Sequence, residues 1–334
     1  MNDTEKVYIG LLLFLVLVAG RYIVCEISPH ILINGYLVMG VIGFGLTYTY
    51  TKQYDLSLFT ALILIFGITV YRYVTDPEDL SVDKYNSFKN TSLFIIGLGI
   101  CAAIITYKKV ILPYTKLANF VFIIYMLSSF LEWTVHKYIL HCTTNKTINS
   151  IIDKIPYFKE TCKSHIDHHV NVNVDMTVND KEEDHTNDAK FRMGWNIFIP
   201  LLLGFLLFGF IAKYISGYNI SIIPLLIISF ITTFAWEYIW NKTHAAMHDF
   251  EYEYSVTKGP YDNGILNTEY IKKVLYTNHE AHHLQKGDKK GNYNVIFFGA
   301  DEWLLTNNKT IDNTEYCKTH SEEQICKELD PKTM

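Results

Sequence analysis

The chain has 334 residues, of which 49% are hydrophobic, 19% charged and 15% aromatic, with a formal net charge of -5, and its mean hydropathy is +0.11. Long apolar stretches in that balance mark a membrane protein rather than a water-soluble core. No block of Lys and Arg is interleaved with aromatics, which argues against a nucleic-acid partner and leaves a lipid or other apolar substrate as the expectation.

In chain order, apolar segments fall at about 7–25, 31–50, 57–74, 91–107, 117–135, 196–215 and 221–240, each near the ~20 residues that a helix needs to cross a bilayer. The third and fourth are the weakest. "VYIGLLLFLVLVAG" (7–20) runs on into "RYIVCEI" without a small-residue cleavage site, so it reads as a retained span and not a signal peptide. Aromatics at "TYTY" (47–50) and "WEYIW" (236–240) suit the membrane interface.

Two polar regions, 142–195 and 241–334, flank the last pair of segments, which only "KYISGYNIS" joins. That pair forms a helical hairpin, so both polar regions face the same side. Their lysines favour the cytosol, although a strict seven-span count puts the three lysines of "YKKVILPYTK" opposite. The acidic stretch 178–190 reads as a solvated loop. Residues 307–334 read as a polar tail outside the chemistry, with a short helix within 320–329. The six cysteines show neither metal-ligand spacing nor a dense disulfide pattern, which suggests reduced or inert thiols.

Of 13 histidines, all but His30, His185 and His320 cluster: His136 and His141; His165, His168 and His169; His244 and His248; His279, His282 and His283. Helical residues three or four apart share a face, so the last three groups are each compact on a regular helix. His136 and His141, five apart, diverge on an ideal helix and need a local distortion or a helix end between them. The first and third groups follow directly from apolar segments, and the second and fourth lie in the polar regions on the same side, so all can converge at the membrane face. These imidazoles exceed what one tetrahedral zinc site uses and suit two metals with about five nitrogens each. Iron is the expected metal, with zinc able to occupy the same nitrogens on purification.

Glu132 and Glu237 precede the first and third groups on the matching helical face. Either carboxylate can hold a ligand imidazole or bind metal, or else satisfy interfacial aromatics or backbone groups. Asp167 and Glu280, inside the groups, point away from them on a regular helix.

H-x4-H at 136–141, H-x2-HH at 165–169, H-x3-H at 244–248 and H-x2-HH at 279–283 together resemble the fatty acid hydroxylase and sterol desaturase superfamily of integral membrane di-iron oxygenases. "EWTVHKYILH" looks like that family's first box, and "GNYNVIFFGADEWLLTN" resembles the Asn-Tyr and later Asp that follow its last box. The resemblance implies that Asn292, Tyr293 and Asp301 stabilise the segment after the metal ligands. The chain departs from it in "EWLLTN", where the family has a Gly-Thr pair, and in a long gap between His141 and His165.

The fold so implied is all-α: a multi-span membrane helical bundle with a cytosolic histidine-rich helical cap. It would divide into an N-terminal membrane region (1–116), a catalytic region (117–306) and a C-terminal tail (307–334). The implied activity is oxidation of a lipid by O2 in an endoplasmic reticulum-like membrane. The H-x4-H form and the added H-x3-H pair lean toward hydroxylation of an acyl chain or sphingolipid, with desaturation or methyl oxidation as the neighbouring chemistry. A metal-binding or transporting membrane protein without oxygen chemistry is the reading from a different class. No dinucleotide-binding glycine fingerprint or haem motif is seen in the sequence, so a cytochrome b5-type donor and its NAD(P)H reductase are the implied partners.

Overall fold

The computed structural model describes residues 35–75, 91–142, 146–174, 176, 195–248, 269–287, 290–308, 313–323 and 326–327. Its regular elements are helical: α1 (Gly35–Thr51), α2 (Tyr54–Thr75), α3 (Thr91–Thr106), α4 (Lys108–Thr134), a π-helical turn (Val135–Leu140), α5 (Lys146–Ile152), α6 (Pro156–Val170), α7 (Trp195–Ser216), α8 (Ile222–Met247), α9 (Glu269–Leu284), α10 (Ala300–Trp303) and α11 (Thr314–Thr319). The first apolar segment and the acidic 178–190 stretch lie outside the described residues.

Among the described residues four stretches are long and apolar enough to cross a membrane: Tyr54–Tyr71, Lys108–Leu140, Ile197–Ser216 and Ile222–Asn241. Within the described residues the segments at 31–50 and 91–107 are shorter helices. At 17 residues α1 would extend only about 26 Å against ~30 Å of hydrocarbon, and it doubles back onto α2 through Lys52, whose φ is 54°. Thr47 Oγ1 donates to Thr60 Oγ1 at 3.1 Å across that buried hairpin. Helices α3 and α4 are separated by Tyr107 alone. At 33 residues, Lys108–Leu140 would be about 50 Å long as a helix, longer than the ~30 Å of hydrocarbon, which leaves room for the end that bears the first histidine group to stand at the membrane face.

The hairpin expected of the last two apolar segments is present as α7 and α8, which turn at Gly217 with φ 65°. α8 runs on past the apolar stretch to Met247 and so delivers His244 and His248. α4 packs between the N-terminal pair and this hairpin. Along one seam Phe120 and Ile123 of α4 pack with Leu62, Ala212 and Leu225. Nearer the histidines Leu201, Phe205, Trp236, Trp240, Met247 and Val295 form a second core.

Two readings of the sequence are corrected. Cys142 is bonded to Cys162 and Cys317 to Cys326, with Cα separations of 5.3 and 5.2 Å; among the described cysteines Cys101 alone is free. The fold, not a spacing motif, brings each pair together. The C-terminal tail, read as lying outside the chemistry, also supports the helix that carries the last histidine group. Asn313 accepts the backbone N–H of Lys286 at 3.0 Å and donates to the carbonyl of Leu284, so it caps the end of α9 that carries the last histidine group. The tail's short helix stands at Thr314–Thr319, ahead of 320–329, where Cys326 and Lys327 are the described helical residues.

Candidate metal centre

The five-residue spacing of the first group is resolved by the π-helical turn. Its i→i+5 bonding, the His141 N–H to the His136 carbonyl at 3.2 Å, brings residues five apart onto one face. The two imidazoles then stack with centroids 5.2 Å apart and planes 15° from parallel. On α6 the i,i+4 pair His165 and His169 faces the same point, whereas His168 turns to a second one. On α9 the pattern is mirrored: His279 and His283 form one pair and His282 turns away.

The outcome is two sets of five. His136, His141, His165, His169 and His282 form the first, and His168, His244, His248, His279 and His283 the second; within each set the ligand nitrogens lie within 4.8 Å of one another. Each H-x2-HH box thus contributes to both sets, and the sets touch where His169 stacks on His283 with centroids 4.0 Å apart. His320, by contrast, stacks on Tyr316 at the exposed tail.

Three rings are fixed from behind. His136 Nδ1–H donates to the Tyr293 carbonyl at 2.7 Å, His282 Nδ1–H to the Gly291 carbonyl at 2.7 Å, and His248 Nδ1–H to the Met176 carbonyl at 2.9 Å. A carbonyl only accepts, so in these rings the proton sits on Nδ1 and Nε2 presents a bare lone pair. Those lone pairs face other imidazole nitrogens. In the first set His165 Nε2 lies 3.1, 3.3 and 3.2 Å from Nε2 of His136, His141 and His169, and His282 Nε2 is 3.0 Å from His141 Nε2. In the second, His279 Nε2 lies 3.0 and 3.1 Å from Nε2 of His248 and His283. One N–H on His165 can satisfy one of its three neighbours, not all of them. Metal–nitrogen bonds of ~2.1 Å at 90–109° would place the nitrogens about 3.0–3.4 Å apart, which matches this crowding. The residues present therefore fit a pair of metal ions.

Electrostatics agree with this arrangement. Burial, reinforced by neighbouring imidazoles and by Lys290, holds His141, His165, His169 and His282 well below the usual histidine range. Burial and neighbouring imidazoles do the same at His168, His279 and His283. His248 is lowered by burial to about 4, a shift opposed by its bond to Met176. Neutral imidazole is the form that binds metal.

The segment after the last box acts as a frame. Glu132, buried on α4, accepts the backbone N–H groups of Ile296 at 3.1 Å and Phe297 at 2.8 Å, and the side-chain amide of Asn294 at 3.3 Å. It serves backbone groups, the second of the roles open to it, and the Tyr293 carbonyl takes the imidazole proton instead. Asp301 accepts the Asn294 N–H and the Thr306 hydroxyl, each at 2.6 Å, and burial raises its carboxyl to about 6. Asn292 bonds the backbone of Asn308 through both ends of its amide. The Tyr293 hydroxyl donates to the Lys290 carbonyl at 3.0 Å. Glu237 is half-buried on α8, between Trp236 and Trp240. Asp167 and Glu280 are half-buried beside the sets.

Three residues were not singled out from the sequence. Asn294 bridges α4 to this frame, donating also to the Ser129 carbonyl at 2.9 Å. Lys290 Nζ stands 3.4 Å from His169 Nδ1. Gly291 supplies the carbonyl for His282. The repeat of Asn in "GNYN" was the one available signal for Asn294; nothing local marks Lys290.

Against the first set lies a cavity of about 190 Å³ between α4, α6, α7 and α8, with His136 on its wall and Leu131, Leu201, Phe205, Trp236 and Trp240 among its lining. It is almost wholly apolar.

A multi-span helical membrane chain with two histidine-rich sets is arranged here as in the folds of the di-iron fatty acid hydroxylase and sterol desaturase type. No protein-family model, curated protein or solved structure matches the chain.

Proposed function

We propose that this protein is a membrane-bound, O2-dependent lipid hydroxylase whose His136, His141, His165, His169 and His282 hold one iron ion and whose His168, His244, His248, His279 and His283 hold a second. The observation that carries the reading is the convergence of five imidazole nitrogens in each of two sets, with Nε2 left bare on His136, His282 and His248 and His136 on the wall of an apolar cavity. When bound, the metals supply activation of dioxygen for attack on an unactivated C–H bond. In the balanced reaction one oxygen atom enters the C–H bond as an alcohol. The other leaves as water with two protons and two external electrons.

The chain's own residues do the rest. The carbonyls of Gly291, Tyr293 and Met176 hold three ligand rings in the tautomer that leaves Nε2 bare. Leu131, Leu201, Phe205, Trp236 and Trp240 exclude water and hold an apolar substrate beside His136, where preorganisation lowers the cost of reaching a productive geometry. A cytochrome b5-type donor with its NAD(P)H reductase delivers the electrons. An endoplasmic reticulum-like membrane with the histidine face in the cytosol suits the lysine-rich polar regions. The Cys142–Cys162 and Cys317–Cys326 bonds stand against that orientation, because a cytosolic face keeps thiols reduced; free thiols in freshly extracted protein would support the cytosolic side, and blocked thiols the opposite one.

Lipid mass spectrometry on cells expressing the wild type or His282→Ala, with a compatible donor and measured metal content, tests the reading. A lipid that gains one oxygen atom only with the wild type is the expected result. A lipid that instead loses two hydrogens would reassign the chemistry to desaturation. Identical lipids from metal-loaded wild type and variant would remove the enzymatic reading.

A further inference from the structure

The cavity beside the first histidine set constrains how a substrate reaches it. At about 190 Å³ it falls below the ~300–1,000 Å³ of pockets that enclose a whole drug-sized ligand. It therefore suits a segment of a slender chain whose remainder stays outside, rather than a rigid fused-ring molecule taken up whole.

The side of α7 that meets the cavity carries Pro200 and, one turn on, Gly204. Pro200 is exposed and Gly204 half-exposed, so this stripe connects the cavity to the bilayer side of the hairpin. A proline inside a helix leaves the carbonyl four residues earlier without its helical donor and favours a kink there. Across from the stripe lies Leu131 of α4. A Cβ added at Gly204 would stand 3.7 Å from Leu131 Cδ2, with no other heavy atom within 4 Å. An alanine thus fits at ordinary contact distance, whereas a longer side chain must extend into the free space between α4 and α7. Glycine costs a helix interior ~1 kcal/mol relative to alanine, and packing against α4 does not require its small size here.

We propose that Gly204 is the specificity-determining residue of a lateral entrance: an unbranched acyl chain slides from the bilayer between α4 and α7, over Gly204, and ends its approach beside His136. The proposal rests on the reading above for the class of ligand. It adds the route, the shape selected, and the assignment of the substrate to the first histidine set.

Trp236 and Trp240, both on the cavity wall, supply a reporter independent of turnover. Metal-loaded protein in nanodiscs of saturated phosphatidylcholine, kept free of oxygen, is titrated with a fatty acid brominated at mid-chain, and tryptophan quenching is followed. Wild type and Gly204→Ala are expected to quench saturably. Gly204→Val should weaken the apparent affinity and Gly204→Leu should lower it at least tenfold, while Gly67→Leu, at an exposed position of α2 where an added Cβ meets nothing within 4 Å, binds as wild type. Replacing both tryptophans by phenylalanine should remove the saturable signal. Unchanged binding by Gly204→Leu, or no saturable quenching by the wild type, would overturn the proposal. Metal content is measured on each variant, and if the leucine variant loses metal, the order of the alanine and valine variants decides. Saturable quenching without any oxidised product from the loaded enzyme would leave the entrance standing and sink the proposed reaction.

Discussion

His282 joins its set through a backbone atom of a residue that can only be glycine. Its Nδ1–H donates to the Gly291 carbonyl at 2.7 Å, and a Cβ at position 291 would run into the carbonyl oxygen of Thr306. That close approach exists because the Asn292 N–H donates to the same Thr306 carbonyl at 3.0 Å, and Gln285 accepts the Gly291 N–H at 3.2 Å. Gly291→Ala keeps every histidine yet moves the carbonyl that orients one of them. Loss of such an orienting partner typically weakens metal binding ~10–100-fold, and that loss is the expected result in competition against a chelator. Wild-type affinity in the alanine variant would show that the carbonyl does not tune the ligand. Glu132 illustrates the complementary case. Its position before the first box was visible in the sequence, but its task was not. It accepts from backbone N–H groups about 165 positions away, and no local pattern encodes that.

At the scale of elements, the histidine boxes were legible because i,i+3 and i,i+4 spacing dictates shared faces on any helix. The H-x2-HH boxes were legible as units, but their division between two sets was not. His165 and His169 join one set while His168 joins the other, and His279 and His283 join the second set while His282 joins the first; only the docking of α6 against α9 decides which neighbour each meets. The H-x4-H box required a distortion, which the fold supplies as a π-helical turn. This makes the register of Val135–Leu140 testable. Deleting Ile139 shortens the spacing to four, which a regular α-helix keeps on one face, whereas inserting alanine after Ile139 lengthens it to six and separates the rings. The deletion should retain metal in the first set and the insertion should lose about one of two equivalents, read by elemental analysis of purified protein. Equal metal content in both would show that His136 and His141 need not share a face. The apolar spans were less legible at the N-terminal end, where α1 and α3 have the composition of spans but, among the described residues, run for 17 and 16 residues. The capping of α9 by Asn313 was invisible, because an asparagine in a polar tail carries no sign of what it will cap.

For the molecule as a whole, the fold gathers ligands from four separate helical regions into a site in which nine of the ten imidazoles are buried and His141 half-buried, and the consequence is a strong coupling of stability to pH. His141, His165, His168, His169, His248, His279, His282 and His283 all have folded-state pKa values pushed down by burial, with His248 at about 4. In the unfolded chain each titrates near ~6.5. Between those limits the unfolded state binds more protons than the folded one, so stability of the metal-free protein rises with pH across the window and is lost as pH falls from about 6.5 toward 4 and below. Above ~7 both states carry neutral imidazole and this contribution is complete. Metal binds the folded state and stabilises it by mass action, and at pH 7.5 it meets ligands that are already deprotonated. Two measurements follow from the same physics. The thermal midpoint of metal-free protein in detergent should fall steadily as pH is lowered from 7.5 to 5, with the decline displaced to lower pH once metal is added. Calorimetric metal uptake at pH 7.5 should release few protons, seen as nearly equal heats in buffers of different ionisation enthalpy. A midpoint independent of pH over that range would mean that the imidazoles are not sequestered from solvent, and the two converging sets would then have no driving force to remain neutral and face to face.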